Sequence, residues 1–148
     1  MNRTTRVLFL CTGDSCRARM AEGWAKHLGG DVIEVKSAGF EAQDRNPHTI
    51  AVMRQRGIHI EKQKPVALTS TVLDWADLIV TVCHPADDYC LVLPSGKAAL
   101  HWTLPDPAKA TGSEDEILAQ CRESRDDLGL LVATLVEEIS IMESLRRA

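Results

Sequence analysis

The stretch VLFLCTGDSCRARMAEGWAKHLGG, residues 7–30, decides the fold. Val7 to Leu10 is a short apolar run of the kind that forms a buried strand. Ala18 to Leu28 then carries apolar residues at Ala21, Trp24, Ala25 and Leu28, a helical stripe that Gly29 and Gly30 stop. Strand, short loop and helix in that order open an α/β unit.

Working outward, DVIEVKSAG (residues 31–39) alternates apolar and polar like a second strand. Asn46 caps a helix with Pro47 at its first position, running to Gly57. Thr69 to Trp75 predicts a short helix leading into ADLIVTVC (residues 76–83), a continuous apolar run expected of a strand covered on both faces. AALHW (residues 98–102) supplies the last strand. Ser113 and Glu116 form a capping-box signature ahead of Ile117, Leu118, Cys121, Leu128, Leu131, Leu135, Ile139 and Met142, the apolar stripe of one long C-terminal helix. The alternation predicts a doubly wound α/β sheet of four parallel strands. With no internal repeat, low-complexity tract or long linker, one domain is expected over residues 1–148.

Composition narrows the function. The 148 residues are 45% apolar, enough for one core, and the formal charge is −4 with few, scattered aromatics. Nucleic acid is therefore not an expected partner, and an anionic ligand has to be captured locally. The opening MNRTTRVLFLC has an apolar run too short for a signal peptide or membrane span, so the expectation is a cytoplasmic protein with no membrane partner. Five cysteines in a reducing compartment are more often catalytic, redox-active or buried than structural disulfides.

Ligands of such sheets bind beyond the carboxyl ends of the strands, where the opening loop sits. The loop residues Thr12, Gly13, Asp14, Ser15 and Cys16 lead directly into a helix whose N-terminal amides and dipole attract an oxyanion. Arg17 can add a bidentate fork. The same field favours a thiolate at Cys11, since a thiol of pKa about 8.5 is only roughly 3% ionised at neutral pH. A strand-ending cysteine is otherwise a small apolar core residue. The Cys-x5-Arg spacing at a strand-to-helix junction favours the nucleophile.

Cys83 and Cys90 raise a second question. Cys11 and Cys83 each end a predicted strand, and neighbouring strands lie about 4.8 Å apart, within the separation a disulfide needs. Were the segment after Pro85 helical, Cys83 and Cys90 would stand about 10 Å apart and could bond only after it unwound. A pair of that kind suggests a redox switch open to an external dithiol.

CTGDSCRARMAEGW resembles the phosphate-binding loop of the low-molecular-weight tyrosine phosphatase fold, and specifically its arsenate reductase branch. The similarity extends through SAG, NP, ADLIVTVC, HW and DPA. The resemblance implies a three-layer αβα sandwich, and Cys83 and Cys90 match the thioredoxin-coupled members. In those, Cys11 attacks arsenate, Arg17 and the loop amides hold the oxyanion, and Asp106 protonates the leaving oxygen. Cys83 then attacks Cys11, releasing arsenite, and Cys90 attacks Cys83 to leave a disulfide that thioredoxin reduces. Phosphate or sulfate would mimic arsenate, and a monomer with no tightly bound cofactor is expected. A phosphotyrosine phosphatase would need only Cys11, Arg17 and Asp106, and an oxyanion-binding redox sensor is a third reading.

The remaining candidates are plainer. Asp106 lies between two prolines, a rigid setting that on sequence alone also suits a turn. Cys16 matches a family cysteine outside the relay, Cys121 falls on a helix's apolar face, and Trp24 and Trp102 read as packing residues. The histidines show no zinc-like spacing with the cysteines, so no metal centre is expected. Two departures stand out. Asp14 replaces a usual Asn and brings a carboxylate near the anion. Ala18 replaces a usual Ser whose hydroxyl helps hold the thiolate. Some relatives bind potassium; Asp14, Glu22 and Ser37 match three of its places, while Val66 falls at the fourth and offers no side-chain oxygen.

Overall fold

β1 (Thr5–Cys11) lies at the centre of a sheet whose order is β3-β2-β1-β4-β5, with all neighbours parallel. The other strands are β2 (Ile33–Gly39), β3 (Val66–Ala67), β4 (Leu78–Cys83) and β5 (Ala98–Thr103). The computed structural model describes residues 4–11, 16–39, 46–63, 66–83 and 97–147, the side chains of 16, 66, 108 and 147 excepted. The four strands read from the sequence make up the sheet, and two-residue β3 extends it at one edge. Its two residues were too short a signal to register as a strand. At the opposite edge β5 is largely exposed, with Leu100 40% accessible, so its apolar residues do not mark burial on both faces.

Helices cover both faces. α1 (Cys16–Gly29), α2 (Pro47–Arg54) and α4 (Glu114–Arg147) lie on one side. The larger core there joins Val7, Phe9 and Cys11 of β1 with Val80 and Val82 of β4, Ala18, Met20 and Ala21 of α1, and Leu128, Val132 and Leu135 of α4. On the other side Leu8, Leu10 and Ile79 pack with Val72 of α3 (Ser70–Trp75) and with Ala76. Strand alternation explains the split, since successive side chains of β1 enter opposite cores.

The expected caps form. Asn46 Oδ1 accepts from the amides of His48 (2.9 Å) and Thr49 (3.3 Å), with Pro47 first in the helix. α2 ends at Arg54, three residues short of Gly57, which closes it instead. Gly57 N donates to Arg54 O and Ile58 N to Met53 O, a reversal that needs the glycine's φ of +73°. Ser113 and Glu116 exchange their reciprocal 3.2 Å bonds at the start of α4. The stripe of α4 differs at its far end: Met142 is 55% exposed while Glu143 is buried and accepts from Thr5 Oγ1 at 2.5 Å. Over a 34-residue helix the apolar face drifts past the small sheet it packs on. Trp24 donates from Nε1 to Arg125 O (2.9 Å), and Trp102 lies 5.8 Å from Phe9, so both pack as expected.

Candidate active site

Cys11 is the last residue of β1 and is 1% exposed. Its register partners are Gly39 of β2 and Val82 of β4, so it sits at the carboxyl ends of the central strands. Residues 12–15 lie outside the described residues, and so does the side chain of Cys16; Thr12, Gly13, Asp14 and Ser15 therefore enter here only through the ends of the loop they join. Those ends are Cys11 and the first turn of α1, where Arg17 is fully buried.

Arg17 is anchored by the segment that follows β5. Its Nη1 donates to Leu104 O at 2.8 Å, and its Nη2 lies 3.9 Å from Asp106 Oδ2. Leu104 follows β5 and donates from its own amide to Cys83 O at 3.1 Å. One short segment, 103–106, thus ties the guanidinium, Asp106 and the end of β4 together. Asp106 is 6% exposed between Pro105 and Pro107. The Asp106 carboxyl, about ninety residues further along the chain, meets the Arg17 guanidinium and the Cys11 thiol at one end of the sheet. A buried cation beside a thiol is suited to hold an oxyanion against a nucleophile. Ala18 is buried in the same cluster as Cys11, so a methyl stands where the resemblance suggests a hydroxyl.

Cys83 ends β4 and is disulfide-bonded, to a cysteine whose side chain lies outside the described residues, while Cys11 and Cys121 are thiols. Cys90 lies outside the described residues, as does the segment after Pro85. β1 and β4 are neighbours, as the pairing of Cys11 with Cys83 requires. The register adds a condition. Cys11 is opposite Val82, not Cys83, so alternation sends the two cysteine side chains to opposite faces. Backbone spacing at a one-residue offset, about 6 Å, still suits a disulfide, but Cys83 has to turn over at the strand end to make it.

On its own face Cys83 has a neighbour the sequence did not single out. His101, the β5 partner of Thr81, brings Nε2 to 3.4 Å from Cys83 Sγ and Nδ1 to 2.6 Å from Thr81 Oγ1. His101 was read only as half of HW; the signal lies in the register, which no single sequence displays. Cys121 is buried in the core, its thiol pKa pushed up by desolvation, as befits an inert residue.

Glu22 of α1 and Ser37 of β2 come together as buried residues, hydrogen-bonded to each other. Burial raises the Glu22 pKa; Lys26 at 3.6 Å and the Ser37 bonds work in the opposite direction. Among the described residues Glu22 Oε2 is buried with no hydrogen-bond donor, Lys26 Nζ standing 3.6 Å from it, and such an oxygen is of the kind a monovalent cation can satisfy. Asp14 lies outside the described residues, and Val66, opposite Ala38 in the sheet, brings no side-chain oxygen. Among the described residues no three His, Cys, Asp or Glu side chains cluster as metal ligands, and no helix is long and apolar enough to cross a membrane.

The family model for low molecular weight phosphotyrosine protein phosphatase matches residues 6–141. The chain belongs to that family. Within it, an arsenate reductase of Halalkalibacterium halodurans is 44% identical over 131 residues, 88% of this chain and 94% of the relative. A solved arsenate reductase in a phosphate-binding state superposes with a TM-score of 0.75 at 30% identity, covering 92% of this chain and 99% of that one. A thioredoxin-dependent arsenate reductase of Corynebacterium glutamicum gives a TM-score of 0.71 at 25% identity, covering 94% of this chain and 63% of that one. The matched span contains β1 with Cys11 and the first turn of α1 with Arg17.

Proposed function

We propose that this low-molecular-weight phosphatase relative reduces arsenate to arsenite in a reducing cytoplasm, as part of arsenic detoxification, with thioredoxin as its dithiol reductant. The observation that carries the reading is Cys83 engaged in a disulfide at the end of the strand next to Cys11. A phosphatase has no use for that bond. The relatives named arsenate reductase support the substrate.

The chemistry follows from the side chains. Cys11 attacks arsenic as its thiolate, and Arg17, steadied by the Leu104 carbonyl, holds the oxyanion with the loop amides of Thr12 to Cys16. Asp106 supplies the proton to the departing oxygen. Cys83 then attacks Cys11 Sγ; the S–As bond breaks with its electron pair on arsenic, giving arsenite and a Cys11–Cys83 disulfide. Cys90 displaces Cys11 from Cys83, and thioredoxin reduces the resulting disulfide. Two electrons leave one dithiol for each arsenate reduced. All three thiols belong to one chain, so a monomer suffices. No step requires a cation at Glu22 and Ser37.

Cys90→Ser tests the relay. With thioredoxin, its reductase and NADPH, the variant consumes about one equivalent of arsenate per chain and stops, the burst of a trapped covalent step. Sustained turnover in that variant overturns the relay. Loss of Cys83 separates the phosphatase reading: Cys83→Ser keeps hydrolysis of an aryl phosphate while arsenate reduction disappears, whereas a plain phosphatase loses nothing.

A further inference from the structure

Thr81, Cys83 and His101 form a line on the face of the sheet opposite Cys11. We propose that His101 is the acid–base group of Cys83, taking the thiol proton before Cys83 turns over to attack and returning one as Cys83 is released from a disulfide. The inference deepens the reading above, in which Cys83 passes between disulfides.

The geometry restricts the ring. Thr81 Oγ1 has one proton and lies 2.6 Å from His101 Nδ1 and 3.4 Å from Leu100 O. A carbonyl only accepts. These two contacts are met together when the Thr81 hydroxyl donates to Leu100 O and Nδ1–H donates to Thr81. Nε2 is then the nitrogen that shares a proton with Cys83 Sγ, 3.4 Å away. A disulfide sulfur also only accepts, so a hydrogen bond from the ring to oxidised Cys83 uses Nε2–H as its donor. Beside a Cys83 thiol, Nε2 accepts instead. The arrangement is that of a nucleophile, its base and a third group orienting the base. His101 is exposed, which allows it to exchange protons with solvent. Cys83 is the titratable group against the ring on β4. The charged side chains of α3 and of the start of β5 lie at the other end of these strands, where Lys97 donates to Asp74 O and Ala76 O and Asp77 accepts from Arg6 N.

Both steps balance. In the attack, neutral imidazole takes the Cys83 proton while Cys83 lies against it; the thiolate then turns over at the strand end and bonds to Cys11 Sγ, and the S–As electron pair goes to arsenic. In the release, a thiolate of the dithiol reductant bonds to the sulfur joined to Cys83; that S–S bond breaks with its pair on Cys83 Sγ, and the Nε2 proton moves to it. A protonated leaving group makes the exchange faster, because exchange rates rise as the leaving thiol becomes less basic.

The test uses oxidised full-length protein reduced by dithiothreitol across pH 5.5–9, with rates corrected for dithiothreitol thiolate and Cys83 followed by alkylation and mass. The wild type shows an inflection that vanishes in His101→Gln, where the rate on the acid side drops by on the order of 10-fold or more; Thr81→Val falls between the two. On fully reduced protein, the alkylation midpoint of Cys83 moves upward in His101→Gln. Glutamine preserves hydrogen bonding without titrating, so a merely structural role leaves both readouts at wild-type values in that variant and overturns the proposal. If wild-type protein turns over no arsenate with any dithiol, the functional reading fails while these two measurements still decide His101. Normal turnover with an unchanged pH profile in His101→Gln overturns His101 alone.

Discussion

Arg17 is the largest fully buried side chain among the described residues, in the first turn of a helix. Burying a guanidinium is costly unless its partners are close, and those here are a carbonyl and a carboxyl from a segment nearly ninety residues away. Cys-x5-Arg marks it as a candidate site residue; its anchor is not legible, because a backbone carbonyl leaves no mark in sequence. Glu22 shows the same division. Its burial raises its pKa from an ordinary 4.5, so the native chain binds this proton more tightly than the unfolded chain. Stability therefore falls as pH rises from near 4.5 through the raised native value. Glu22→Gln removes that titration. In potassium-free buffer the variant is more stable than wild type at pH 7 in urea titrations, by of the order of 1 kcal/mol for one relieved buried oxygen, and the advantage shrinks to nothing by about pH 4. An advantage that stays constant across this range refutes the account.

The α1 helix was read from its apolar stripe, and the structure makes one glycine in it indispensable. A Cβ on Gly23 would lie 2.8 Å from Ile58 Cγ2 and 2.9 Å from Ile60 Cγ2, both core residues. Alanine is the better helix former by about 1 kcal/mol, yet crowding a packed core costs about 1–3 kcal/mol. Gly23→Ala is expected to lower stability in urea titrations, while Gly30→Ala, whose Cβ would meet only Lys26 O at 3.4 Å, stays within about 0.5 kcal/mol of wild type. Equal effects would mean that close approach is not what keeps Gly23. Caps were the most legible features of all, since Asn46-Pro47 and Ser113 with Glu116 act through neighbours a few residues away. β3 and the outward turn of Met142 were not, because both depend on what lies alongside.

For the molecule as a whole, an oxyanion gripped by Arg17 and the loop stabilises the native state by mass action. At a phosphate concentration about 100 times its dissociation constant the gain is about 2.7 kcal/mol. At roughly 2–4 °C per kcal/mol that raises the melting temperature of reduced protein by about 5–10 °C. Arg17→Lys, which loses the planar fork, is expected to abolish most of the shift; a melting temperature indifferent to phosphate and arsenate in wild-type protein would remove the oxyanion site from the argument. Local pattern alone determined the alternation of strands and helices and the capped helix starts, and singled out the candidate nucleophile loop, because periodicity, capping and short spacing are properties of adjacent residues. Tertiary structure decided the rest. Only the parallel register shows that Cys11 and Cys83 leave neighbouring strands on opposite faces, that Asp106 reaches Arg17, and that His101 lies against Cys83, because the alternation of faces across a sheet depends on which residues pair.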